Sequence, residues 1–324
     1  LLNISKKWII ALRVVVAIIA YGFIALKLYQ QGFIGITAAI EEIRFAEDWA
    51  LLLATLIFMP VAWGFEAIKW QFAMKSVERI TFAEAWQSVW YGVVAGMLTP
   101  NRVGEPIGRI AFVEHQNRGK AVLLAIWCGV SQQIATLTFG VIGLTYWFLK
   151  MNADDFSQSI NSIFVLILII AIVMSITIVV GIGKISEAIQ RIGFVRKFLS
   201  GEILTLSITK PTTITILLLS LLRYSIFSTQ LVMLFIFFGI NVPVINIYVA
   251  VFLTYLFASV IPSFAIGEAG VRSGFAITFF GTMAPNSAGI IAAILTLWIL
   301  NIGFPALVAV WFPWLTKRSY LKAK

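Results

Sequence analysis

Six apolar blocks decide what this chain can fold into. Residues 8–29, 50–70, 121–149, 160–182, 212–240 and 290–314 are each long enough to cross about 30 Å of hydrocarbon as a helix. The first is longer than a typical signal-peptide core, and no small-residue cleavage site follows it. Between the blocks the polar stretches are loops of roughly 20 to 30 residues, which leaves no room for a sizeable soluble domain. A single membrane domain over residues 1–324 is the expected organisation.

Composition agrees. Of the 324 residues 60% are hydrophobic and 12% charged, with a mean hydropathy of +0.98. A soluble domain carries nearer a quarter charged residues. The net charge of +10 would suggest nucleic acid in a soluble protein. Here basic residues flank apolar spans and meet anionic lipid, so nucleic-acid binding is not expected. The one cysteine, Cys128, cannot form an internal disulfide and reads as a small core residue. The one histidine, His115, has no cluster of Cys or carboxylates at ligand spacing, so no metal is expected. No cofactor motif is present either.

The distribution of Lys and Arg orients the spans. Lys6 and Lys7 place the N-terminus inside, and Lys317, Arg318, Lys322 and Lys324 place the C-terminus inside. Glu41, Glu42, Glu47 and Asp48 put the loop after the first span outside, and Lys75 with Arg79 put the next one inside. The span at 121–149 also starts inside, behind Arg109, Arg118 and Lys120. The apolar segment 82–99 therefore lies between two cytoplasmic loops. It is expected to enter, break at Pro100 and return through Arg109. Such a re-entrant hairpin is tolerated only where protein or a polar cavity surrounds it. The segment from Val244 to about Pro285 shows the same conflict from the outer side and breaks at Pro262.

The two breaks share a pattern. Pro100 is followed by Gly104-Glu105 and Arg109, and Pro262 by Gly267-Glu268 and Arg272. Chance gives roughly 0.03 occurrences of Gly-Glu-x-x-x-Arg in a chain of this composition, so its presence twice signals an internal repeat. The expectation is an all-α membrane protein, a polytopic helical bundle with an inverted-topology repeat. Residues 1–150 and 151–324 form the halves, with about six full spans and two re-entrant helical hairpins. A bundle of eight full spans is the alternative.

Opposed broken helices belong to transporter architectures. Proline ends the descending helix, and glycine lets the backbone turn. Glu105 and Arg109, like Glu268 and Arg272, stand four apart on one helix face and can pair. A helix restarting near Gly104 or Gly267 would aim its positive end into the membrane. Arg102, without a counterpart in the second motif, adds positive charge nearby. A phosphate headgroup suits such a place. The other reading is that the pairs only pin the hairpins.

Two more ionisable residues lie inside spans, Arg223 and Glu66, and intramembrane charges are functional candidates. Glu66 with Lys69 also reads as an interfacial i,i+3 pair. Arg13 and Lys27 are expected to snorkel. Gln132, Gln133 and Asn301 read as helix glue or cavity lining. Trp49, Trp70, Trp311 and Trp314 read as interfacial belts. The basic segment 184–210 suits an amphipathic surface helix or an ordinary loop.

The Pro-x-x-x-Gly-Glu element at Pro100 and the Gly267-Glu268-Ala269-Gly270-Val271-Arg272 element resemble the lysylphosphatidylglycerol synthase transmembrane-region family. Glu66-Ala67-Ile68-Lys69-Trp70 and Leu222-Arg223-Tyr224 resemble it too, and the likeness covers nearly the whole chain. The resemblance implies a flippase-like domain in the bacterial inner membrane. It would move an anionic or aminoacylated phospholipid, or a polyprenyl-phosphate-linked lipid. The alternative is a membrane subunit or partner of a separate lipid-modifying enzyme such as a phosphatidylglycerol lysyltransferase. The synthase domain of two-domain members is not in this sequence, so lysyl transfer by this chain is not expected.

Overall fold

The computed structural model describes residues 45–97, 99, 102–151, 210–261, 265–280, 283–284 and 286–311. The apolar blocks 8–29 and 160–182, the charges Arg13 and Lys27, the basic segment 184–210 up to its last residue, and both prolines at the breaks lie outside them. So do the terminal lysines and arginines. The regular secondary structure of the described residues is helical. In chain order they form α1 (Phe45–Met74), α2 (Phe82–Met97), α3 (Glu105–Arg109), α4 (Arg118–Met151), α5 (Lys210–Phe237), α6 (Val244–Val260), α7 (Ala265–Phe280), α8 (Ser287–Trp298) and α9 (Phe304–Trp311).

Four helical stretches are long and apolar enough to cross a membrane: Trp49–Met74, His115–Lys150, Pro211–Phe237 and Ser287–Ala309. They correspond to the apolar blocks at 50–70, 121–149, 212–240 and 290–314. This is a multi-pass membrane protein. The remaining helices, α2, α3, α6 and α7, are shorter.

Local chemistry sets several boundaries. Thr81 and Glu84 form a reciprocal cap at the start of α2: the Thr81 N–H donates to Glu84 Oε2 at 2.8 Å, and the Glu84 N–H donates to Thr81 Oγ1 at 3.3 Å. Asn286 caps α8, accepting the Gly289 N–H at 2.7 Å. Between α8 and α9 the helix widens into a π turn at Ile299–Gly303. Pro305 supplies no N–H there, so the Asn301 carbonyl lacks its usual donor four residues on.

Helix α5 is the hub. It packs along α1 and touches α4, α6 and α8. Gln230 ties this centre together: its amide nitrogen donates to the Thr55 carbonyl at 2.9 Å, and its oxygen accepts from Asn301 Nδ2 at 3.0 Å. Asn301 is thus helix glue. Trp70 departs from expectation. It is fully buried rather than interfacial, because α1 continues to Met74 and the Arg109 guanidinium lies 5.7 Å from its ring centre. Trp49 is exposed, as a belt residue is.

Helices α2 and α3 pack antiparallel at very short range. A Cβ at Gly108 would stand 2.3 Å from the Tyr91 carbonyl oxygen, and one at Gly104 2.5 Å from that of Ala95. Only glycine admits this approach. Helix α6 packs on α7, with Phe257 against Phe275 and Phe279. Helix α7 in turn touches α2, so the two motif regions meet.

Candidate functional site

Glu66 lies on α1 within a span, where a lone carboxylate would be costly. Three cations surround it. Lys69 Nζ is 2.7 Å from Oε2, Arg109 Nη2 is 2.7 Å from Oε1, and Arg223 Nε is 3.4 Å from Oε2. Glu66, Lys69 and Arg109 are all buried. The expectation of an interfacial Glu66–Lys69 pair therefore gives way to a buried cluster assembled from α1, α3 and α5.

Each cation is held further. Lys69 donates to Ser220 Oγ at 3.2 Å and to the Cys128 carbonyl at 3.4 Å. Ser220 shares a 2.9 Å hydrogen bond with Ser131. Arg223 Nη1 donates to Gln132 Oε1 at 3.1 Å, and its guanidinium lies 5.0 Å from the Trp63 ring centre. Arg109 Nη2 reaches Glu105 Oε1 at 2.6 Å, the i,i+4 pair expected from the motif. Arg109 Nε and Nη1 are buried with no partner.

Glu105 carries the network outward. Its second oxygen forms an ion pair with Arg102 Nε at 3.3 Å. Arg102 sits in the left-handed region, with φ 57°, at the turn between α2 and α3. A non-glycine residue there is strained by the clash of its Cβ. Thr99 braces the turn by accepting the Gly104 N–H at 2.8 Å. Arg102 and Glu105 remain about a quarter exposed, 27% and 22%, against 3–4% for Arg109 and Glu66. The cluster thus has a closed inner end and an open outer end.

The second motif supplies a separate pair. Arg272 Nη2 donates to Glu268 Oε1, and the guanidinium lies 5.0 Å from the Tyr255 ring centre. Glu268 is close enough to Arg102 for the two charges to interact. Gly267 lies in the first turn of α7. Helices start near both motif glycines, α3 at Glu105 and α7 at Ala265. Helix α3 has five residues, too few for a substantial dipole, so around Glu66 side chains supply the positive potential.

The count of charges matters. Among the described residues, Lys69, Arg102, Arg109 and Arg223 face Glu66 and Glu105, which leaves two positive charges in excess. Adding the neutral Glu268–Arg272 pair leaves that excess unchanged.

The structure gathers Glu66, Arg102, Gly104, Glu105, Arg109 and Arg223 into one site, with Glu268 and Arg272 beside it. Lys69, Ser131, Ser220 and Gln132 belong to the same network. Only Lys69 had a clear signal, its i,i+3 spacing from Glu66. Gln132 is glue, whereas Gln133 is exposed. The serines look like ordinary small residues of a span.

These features define a multi-pass membrane protein with a cation-rich cluster where α3 packs against two of its candidate spans. The chain belongs to the lysylphosphatidylglycerol synthase transmembrane-region family, which it matches over residues 8–308. No curated protein and no solved structure matches it. The match is to a membrane region, and no catalytic domain is identified.

Proposed function

We propose that this protein moves a lipid with an anionic headgroup across the bacterial inner membrane. Among the described residues, an excess of two positive charges around buried Glu66, behind the part-exposed Arg102–Glu105 pair, carries this reading. An uncompensated cation is expensive at membrane depth and is retained where an anion visits. A phosphate is the group common to an anionic phospholipid, an aminoacylated phosphatidylglycerol and a polyprenyl-phosphate-linked lipid. Arg102 and Arg223 would meet it, with Glu105 orienting Arg102, while Glu66, Lys69 and Arg109 hold the frame. Glu268 and Arg272 would flank the headgroup from the second hairpin.

In this reading residues 1–150 and 151–324 form an inverted repeat with re-entrant hairpins at Pro100 and Pro262, and both termini are cytoplasmic. The short paired helices α2–α3 and α6–α7, which meet through α2 and α7, support it. Single cysteines at Arg118 and Asn286, in a Cys128→Ser background, should label from opposite faces of sealed vesicles. Labelling from one face would sink the inverted arrangement.

The lipid test is native mass spectrometry of the purified protein. Wild type should retain anionic phospholipid over zwitterionic phospholipid, and Arg102→Ala should lose that preference. No preference in wild type would count against an anion site. A role as the membrane partner of a separate lipid-modifying enzyme is the second reading, favoured by the synthase context of the family. Co-purification with such an enzyme, without lipid movement, would select it.

A further inference from the structure

Tyr224 on α5 meets Tyr255 on α6 with ring centres 6.0 Å apart, and these two helices bury hydroxyls that no other helix satisfies among the described residues. Tyr224 and Ser228 on α5, and Thr254 and Tyr255 on α6, are buried, the first three with 0% of their surface exposed. Among the described residues Thr254 and Tyr255 have no hydrogen-bond partner, and Tyr224 and Ser228, one turn apart on α5, have at most each other. Elsewhere in the spans hydroxyls are satisfied cheaply. Thr55, Thr136, Ser220 and Thr229 each donate to the carbonyl one turn back, at 2.8 to 3.2 Å. That back-bond is the ordinary solution for a hydroxyl in a helix, and Ser228 and Thr254 do not use it.

A buried hydroxyl without a partner carries its full desolvation penalty. The unmet hydroxyls of α5 and α6 make the packing between these helices costly. They gain full hydrogen bonding in a state where this face is wet.

The face joins the two charged places. Arg223, next to Tyr224 on α5, is tied to Glu66. Tyr255 packs edge-on against Phe227 at 5.1 Å and carries Arg272 on its own ring. The two motif regions are also held differently. Helix α3 is locked by Arg109 to Glu66 and by glycines against the α2 backbone. Among the described residues, Glu268 and Arg272 ion-pair only with each other, and a Cβ at Gly274 of α7 would meet nothing.

We propose that α6 and α7 move together away from α5, and that Tyr224, Ser228, Thr254 and Tyr255 then line a polar passage. It runs from Arg223 to the Glu268–Arg272 pair, and its hydroxyls bond water and the polar headgroup of the lipid. The inference extends the transport reading, but its test does not use transport.

Single cysteines at Ser228 and Thr254, in a Cys128→Ser background, are exposed in sealed membranes to a membrane-impermeant methanethiosulfonate bearing trimethylammonium. Cysteines at Leu234 and at Leu253, which packs toward Gly143 of α4, are fully buried apolar positions of the same helices and set the baseline. The passage predicts labelling about tenfold faster or more at Ser228→Cys and Thr254→Cys, the signature of a minor open state. Rates equal to the baseline overturn it. Thr254→Val gives an independent reading. Removing a hydroxyl that is unpaired only in the closed state should raise the thermal midpoint by a few degrees. A lower midpoint would mean that the hydroxyl is bonded in the resting fold, and would also overturn the passage.

Discussion

The Arg109 guanidinium at the end of α3 lies 2.7 Å from Glu66 on α1, across 43 residues of sequence. That contact joins the first motif to a span, and it makes one carboxylate the common partner of Lys69, Arg109 and Arg223. Burial makes the contact consequential. Ion pairs sealed from water are costly to break from one side, since the remaining charges stay buried.

Glu66→Gln should therefore be among the most damaging single changes in the chain. Removing one partner of a buried pair costs about 3 to 5 kcal/mol, or roughly 10 °C in thermal midpoint for a protein of this size. Ile68→Ala, at an exposed position two residues on, should shift the midpoint little. A thermal melt in detergent of both variants decides this, and a Glu66→Gln protein as stable as wild type would contradict the shared-carboxylate geometry.

The helix glycines divide into two kinds. Gly108→Ala drives a methyl into the Tyr91 and Gly92 backbone, which cannot yield without parting α2 from α3. About 1 to 3 kcal/mol or more of destabilisation is expected from such overpacking. Gly129→Ala and Gly274→Ala meet open space and should be tolerated or mildly stabilising in a helix. Comparative melts of the three variants check the contrast.

Arg102 separates stability from binding. Arg102→Gly relieves a left-handed backbone at φ 57°, worth about 1 kcal/mol, but it deletes the most exposed cation of the cluster. The midpoint should hold or rise, while retention of anionic lipid falls. A purely structural Arg102 would lose stability and leave lipid retention unchanged.

The parts of this site that were legible in the sequence are the local ones. Glu105 with Arg109, and Glu268 with Arg272, pair because four residues is one helical turn. Arg223 and Glu66 stood out as charges within apolar blocks, but hydropathy does not say which spans touch, so their meeting was not readable. Trp70 was misplaced for a related reason. Where α1 ends is set by its packing, and it continues beyond the apolar run to Met74. The unsatisfied hydroxyls of Ser228 and Thr254 were invisible, because a serine that back-bonds and one that does not have the same letter.

Lipid movement in proteoliposomes tests the central claim most directly. Vesicles carry a fluorescent anionic phospholipid in both leaflets, and a membrane-impermeant quencher added outside reports how much lipid reaches the outer leaflet. Wild type should allow quenching to proceed past the outer-leaflet half at a rate well above protein-free vesicles. Arg102→Gly, folded but lacking the exposed cation, should return that rate toward the protein-free level. Quenching that stops at half with wild-type protein, for anionic phospholipid and polyprenyl-phosphate lipid alike and with or without an ion gradient, would contradict translocation.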